Sequence, residues 1–206
     1  DEDGNEVKDE NGDGISLVRD REFQNLSLSV GINKNISNFA FNNWFMYTMR
    51  APRVEELYSD GPHLASYAFE IGNPNLKSET IYGIESSVSF KSDLFNFSLI
   101  GFYNYSPYYF EMTKNGHCEV PDDWKPWTSH PCYGANWIDW GSGGLGWLHK
   151  YSAKGSRVVI KGHEIDLGYK IKNIKLNYNF SFVQGDNISL GMPLSYMNPT
   201  KEILNI

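Results

Sequence analysis

An all-β chain, arranged as an antiparallel up-and-down meander, is predicted by three observations. Apolar and polar residues alternate with period two over much of the sequence, and helical periodicity is almost absent. Short polar turns and long loops also follow one another in strict alternation.

The elements can be taken in order. Leu26, Leu28, Val30 and Ile32 alternate with Ser27, Ser29, Gly31 and Asn33. Phe39, Phe41, Phe45, Tyr47 and Met49 share one face of the next segment, interrupted by Asn43. Tyr82, Ile84, Val88 and Phe90 oppose Gly83, Glu85, Ser87 and Ser89. Phe95, Phe97, Leu99, Gly101, Tyr103 and Tyr105 follow, with Asn96, Ser98 and Asn104 between them. Val159, Ile165, Leu167, Tyr169 and Ile171 alternate with Glu164, Asp166 and Gly168. Finally, Ile174, Leu176, Tyr178, Phe180 and Phe182 alternate with Lys175, Asn177, Asn179 and Ser181. Most of these strands exceed the usual length of about five or six residues.

NKNIS (33–37), KSDL (91–94) and KIKN (170–173) read as tight turns. Residues 50–78, 113–150 and 186–199 read as long loops, and the acidic segment 1–21 joins them. All long connections therefore fall at one end of the meander. That asymmetry is expected of bacterial outer-membrane barrels, with short periplasmic turns and long extracellular loops. The rival is a secreted β-sandwich, such as an adhesin or carbohydrate-binding module whose Trp-rich loop stacks on sugars. Outward strand faces separate the two: apolar in a barrel, polar in a module. Six or seven strands cannot close a wide barrel, and the chain stops at Ile206 within what reads as another strand. A piece of a larger barrel is the expectation.

Composition agrees. Eighteen basic and 25 acidic residues give a net charge of -7, which does not suit nucleic acid. Eight of the acids lie in residues 1–20, against Lys8 and Arg19. Thirteen Tyr, 12 Phe and 6 Trp suit interfacial girdles and binding loops. No apolar run is long enough for a transmembrane helix. The first twenty residues are acidic and Gly-rich rather than a signal peptide, so an export signal is expected upstream or already removed.

The stretch MRAPRVEELYSDGPHLASYAFEIGNPNLKSET, residues 49–80, is too long for an ordinary hairpin connection. Pro52 fixes its own φ and restricts Ala51, breaking the strand, while Gly61-Pro62 and Asn73-Pro74-Asn75 make turns. Arg50-Ala51-Pro52, Glu56-Leu57, Gly61-Pro62-His63-Leu64, Phe69 to Asn73, and Asn73-Pro74-Asn75-Leu76 with Glu79 resemble the corresponding loop of TonB-dependent outer-membrane receptors. YGIESSVSF, FNFSLIGFYNYSPYYFEM and YSAKGSRVVIKGHEIDLGYKI resemble their barrel strands, so the likeness covers most of residues 22–200.

The resemblance implies a segment of a 22-stranded transmembrane β-barrel in the bacterial outer membrane, in contact with its lipid. It implies uptake of a scarce metal or chelate, driven by the TonB-ExbB-ExbD complex acting on a plug domain that these residues do not include. No permanently bound cofactor is implied; zinc or haem would be cargo. GPHLASYAFEIGN is most similar to the zinc-uptake branch, in which a loop histidine is implicated in metal binding. MRAP and NPNL around a histidine are also similar to the paired boxes of haem receptors, where that histidine is an axial ligand. His63 can equally be a loop-shaping hydrogen-bonder, and a siderophore or other chelate stays open. Glu55, Glu56, Asp60 and Glu70 are the oxygen ligands nearest in sequence.

The second long loop holds the only cysteines, Cys118 and Cys132, with five of the six Trp around them. In an exported protein an even pair reads first as a disulfide, and closing about 15 residues contributes about 3 kcal/mol in the chain-entropy model. A zinc set of His117, Cys118, His130 and Cys132 is the alternative. DENGDG (9–14) has the spacing of a calcium loop, but flanking helices are missing and a flexible acidic loop is expected. The Asn-x-Ser sequons, such as those at Asn25, Asn35, Asn96, Asn179 and Asn187, read as chance matches in Asn-rich strands and turns. No nucleophile–base set or phosphate-binding Gly loop stands out, so no enzyme is expected.

Overall fold

A computed structural model describes residues 20–115, 123, 125, 137–139, 147–195 and 197–206, with 137–139 and 147 as backbone. Eleven strands are present among them: β1 (Leu28–Ile36), β2 (Phe39–Arg50), β3 (Asp60–His63), β4 (Ala68–Ile71), β5 (Glu79–Lys91), β6 (Phe95–Lys114), β7 (Trp137–Asp139), β8 (Trp147–Ile171), β9 (Ile174–Asn187), β10 (Met192–Pro193) and β11 (Lys201–Asn205). One short helix, α1 (Val54–Tyr58), lies in the first long loop. The chain divides into two compact units. One comprises 24–51, 78–109 and 155–206, the other 1–23, 52–77 and 110–154.

The first of these units is the meander. Its strands follow the order β1-β2-β5-β6-β8, with β9 on β8 and both β10 and β11 on β9. The pairs β1/β2, β2/β5, β5/β6, β8/β9 and β9/β11 are antiparallel. Register puts Val30, Phe45, Ile84 and Tyr103 in one row, and Ile36, Phe39, Phe90 and Phe97 in another. Period two then gives one apolar face throughout. Val30 and Phe45 on that face are 60% and 64% exposed, which a water-facing sheet would not tolerate over so many strands.

Rings mark both ends of the apolar band. Phe39 packs on Phe90 at 4.9 Å near the short turns, and Tyr47 packs on Tyr82 at 5.2 Å toward the long loops. Eight residues separate Phe39 from Tyr47. At about 3.4 Å each and a tilt of about 40°, they rise about 20 Å, close to the apolar height of an outer-membrane barrel.

The opposite face is mixed, with Gly31, Trp44, Glu85 and Phe102 in one row and polar side chains in others. Asn33 bonds Asn42, and Asn42 Nδ2 donates to Ser87 Oγ at 3.0 Å. Gly162 on β8 lets its two sheet neighbours close in: a Cβ there would lie 2.3 Å from the Phe182 carbonyl on β9 and 2.6 Å from the Phe102 ring on β6. At the long-loop end Arg50 meets Glu79 at 3.2 Å, tying together the strands that bracket residues 52–77.

Three expected boundaries are corrected. NKNIS is not a five-residue turn: β1 continues to Ile36 opposite Phe39, leaving Ser37-Asn38, with Ser37 at φ 51°. The alternation of Ile32, Lys34 and Ile36 carries the strand through those asparagines. Likewise β8 runs to Ile171 opposite Ile174, and Lys172 (φ 50°) with Asn173 makes the turn. In KSDL, Lys91 is still strand, and Ser92 N–H closes the turn on Phe95 O at 2.8 Å. The loop expected over 113–150 is also shorter at both ends, because β6 reaches Lys114 and β8 starts at Trp147.

Candidate functional site

The second unit holds the 52–77 loop. After the buried Pro52, α1 starts with Glu55 and Glu56 in its first turn, where carboxylates suit the helix N-terminus. Glu56 accepts the Arg53 N–H at 2.7 Å, a reciprocal cap that fixes this carboxylate on its own helix. Leu57 points inward and is 5% exposed.

Gly61-Pro62, expected to make a turn, instead lie within β3, in a hairpin in which Asp60 opposes Ile71, Pro62 opposes Phe69 and His63 opposes Ala68. A 3-10 turn, Leu64–Ser66, closes it, and Tyr67 follows in the left-handed region at φ 51°. On this hairpin the His63 Nδ1 lies 2.7 Å from Glu70 Oε1. The carboxylate accepts, so Nδ1 carries the proton and Nε2 presents a lone pair when the ring is neutral. Ser66 Oγ is 3.2 Å from the same nitrogen and donates to the His63 carbonyl at 3.1 Å. The His63 side chain is 58% exposed and that of Glu70 is 23% exposed. A carboxylate orienting an exposed imidazole is the arrangement that prepares histidine to ligate a metal.

The remaining acids do not join it. Period two places Asp60 on the hairpin face opposite to His63, and Glu56 caps α1. No group of three or more His, Cys, Asp or Glu able to hold a metal occurs among the described residues. The expected set His63, Glu56, Asp60 and Glu70 thus reduces to an oriented pair.

Asn73-Pro74-Asn75-Leu76 forms a turn that locks the loop shut. Asn73 Oδ1 accepts Asn75 N–H at 2.9 Å, Leu76 N–H returns to Asn73 O at 3.2 Å, and Leu76 is fully buried. Gly72 N–H donates to Ser59 O at 2.7 Å and Asn73 N–H to Glu56 O at 2.9 Å, joining β4 to α1. Arg21, which the motifs did not single out, donates to the carbonyls of Pro74 and Leu76 and lies over the Phe23 ring at 5.0 Å.

The hairpin is docked on the loop end of β8. Strand β4 pairs parallel with β8, Ala68 beside His149 and Glu70 beside Tyr151, while β7 pairs with β8 at His149. His149 is buried, with Nε2 3.0 Å from Asn115 O. Burial pulls its pKa below the ordinary value, a loss reinforced by Lys114 and partly offset by the Asn115 bond. Asn115 also donates through Nδ2 to Ser152 Oγ at 2.8 Å and through its N–H to Lys150 O at 2.9 Å. A third histidine in a Trp-rich segment offered no sequence signal for this packing role. Cys118, Cys132, His117, His130, the tryptophan side chains of that loop and the segment 9–14 lie outside the described residues.

Comparison with known proteins gives a consistent result. The family model described as "TonB dependent receptor-like, beta-barrel" matches residues 3–201. Among solved structures, the copper transporter OprC shares 14% identity at a TM-score of 0.59, covering 84% of this chain and 23% of its own. The siderophore receptor PirA from Acinetobacter baumannii shares 18% identity at 0.55, covering 85% of this chain and 25% of its own. The chain thus spans about a quarter of the length of these structures, and at such identities the likeness is one of fold.

Proposed function

Because this chain belongs to the TonB-dependent receptor family, as a segment of its β-barrel, we propose that the receptor containing it captures a metal ion or metal chelate at its long loops. The observation that carries this reading is the His63–Glu70 pair at 2.7 Å on an exposed hairpin. His63 Nε2 is the ligand atom and Glu70 its orienting partner. Zinc is the ion the loop motif favours, and imidazole suits zinc. Haem is the second reading, because one axial nitrogen completes a porphyrin-bound iron. A siderophore that already saturates its metal would not need His63. The apolar sheet face meets outer-membrane lipid, and passage inward is driven by TonB-ExbB-ExbD through the plug region of the whole receptor.

Uptake of radiolabelled zinc and of haemin iron by energised cells expressing the full-length receptor tests this, with His63→Ala beside wild type. Loss of uptake of either cargo in the variant supports the reading. Equal uptake of both refutes the ligand role of His63.

A further inference from the structure

Asn43, which interrupts the apolar alternation of β2, has neighbours of like character on the next two strands. Register sets Ile32, Asn43, Ser86 and Gly101 in one row, on the same face as Val30, Phe45, Ile84 and Tyr103. Asn43 stands four residues from both Phe39 and Tyr47, Ser86 four from both Tyr82 and Phe90, and Gly101 four from both Phe97 and Tyr105. Each is the midpoint of its strand's apolar stretch, about 10 Å along the bilayer normal from the rings on either side. Ser86 Oγ donates to Asn43 Oδ1 at 2.8 Å. Whichever way that amide is turned, at least one of its N–H groups has no acceptor among the described residues. Hydrocarbon tails supply none, and a polar group left unpaired among them is costly.

Gly101 points outward by an independent route. Glycine weakens a strand interior and is kept where something approaches closely. At Gly31, Gly83, Gly162 and Gly168 that something is the chain itself, since an added Cβ would lie 2.1–2.5 Å from its own atoms. At Gly101 an added Cβ would meet nothing within 4 Å, and φ is not in the left-handed region. The described fold has no need of this glycine, so the close approach comes from outside. An unpaired amide and a glycine notch thus lie in one row at the centre of the lipid-facing wall. A second copy of the receptor fits both. Inserted in the same orientation, it carries its own Asn43 at the same depth, and each amide offers the donor and acceptor that the other needs. We propose that this row is a self-association surface, at which two receptors meet about a two-fold axis along the bilayer normal and Asn43 pairs with Asn43 of the partner subunit. The notch at Gly101 lets the two walls come close enough for that pair to form.

The test uses the full-length receptor in phospholipid vesicles. Donor- and acceptor-labelled copies are mixed, energy transfer is followed as lipid is added, and thermal unfolding reports the fold. Wild type should show transfer that is lost on dilution as a monomer–dimer equilibrium. Gly101→Phe, whose side chain has room at its Cβ in the single chain, should raise the dissociation constant at least tenfold. Asn43→Leu, which makes the face wholly apolar at that point, should raise it at least fivefold. Neither variant should unfold earlier than wild type at high dilution. Should Gly101→Phe fail to fold, Asn43→Leu alone decides. Wild-type transfer no greater than chance proximity at the same protein-to-lipid ratio overturns the proposal and leaves the row to lipid or to a different membrane protein. A dissociation constant unchanged in Asn43→Leu, or in a folded Gly101→Phe, overturns it as well.

Discussion

Gly72→Ala is the substitution that bears most directly on how the His63 loop keeps its shape. A Cβ at Gly72 would lie 2.4 Å from the Tyr58 nitrogen, 2.5 Å from the Leu57 carbonyl carbon and 2.6 Å from its oxygen. These are backbone atoms, so no rotamer change relieves the clash. Restoring ordinary contact requires β4 and α1 to part by about 1 Å. That distance breaks the Gly72–Ser59 and Asn73–Glu56 bonds, now 2.7 and 2.9 Å. Each contributes about 1 kcal/mol. Partial exposure of Leu57, now 5% exposed, adds about 0.5–1 kcal/mol. The loop should therefore lose about 2–4 kcal/mol of local stability, equivalent to amide exchange faster by about 30- to 1000-fold. Hydrogen exchange with mass spectrometry on the full-length receptor reads this in peptides covering 56–77, with the β2/β5 pairing as internal control. Unchanged exchange over 56–77, or an equal rise in the control, would refute the reasoning.

Three further outcomes follow from the same contacts. Arg21→Ala removes two donors from the Asn73–Leu76 turn and should speed exchange of the Leu76 amide by about tenfold. Arg21→Lys should restore only part of that protection, because a single ammonium lacks the planar fork that reaches both carbonyls. Arg50→Ala leaves the carboxylate of Glu79, 5% exposed, without this cation, and should cost about 2 kcal/mol in chemical unfolding, below the full buried-pair figure because the Arg50 side chain is 37% exposed. His149 has a lowered pKa in the fold, so the unfolded chain binds its proton more readily. Stability around the loop end of β8 is then full above the ordinary histidine range and is lost as pH falls through it toward the lower folded value. Exchange of residues 148–152 at about pH 7.5 and about pH 5.5, either side of the ordinary histidine value and corrected for intrinsic rates, should show this loss, and His149→Gln should abolish it.

Much of the barrel wall was legible because period two is a direct consequence of strand geometry. Phe39 to Met49 and Tyr82 to Phe90 alternate visibly, and their register confirms one apolar face. Turn boundaries were not, because asparagine and lysine are compatible with both a turn and a water-facing strand position, as at Asn33–Ile36. The chemistry of the loop was half legible. His63 and Glu70 stand seven residues apart, and only the hairpin, closed by an unforeseen left-handed Tyr67, brings them together. Asp60 looked equally suited by nearness in sequence, yet strand alternation turns it to the other face. Arg21 lies 53 residues from Pro74 and the parallel docking of β4 on β8 spans about eighty, separations at which a single sequence carries no local pattern.

Metal and haemin binding by the full-length receptor in detergent, wild type beside His63→Ala, tests the central claim most directly. The account predicts that zinc, by calorimetry, or haemin, by its Soret band, binds wild type and loses at least tenfold affinity in the variant, about 1.4 kcal/mol. Equal binding of both ligands by the two proteins would contradict it and leave His63 with a role in loop structure alone.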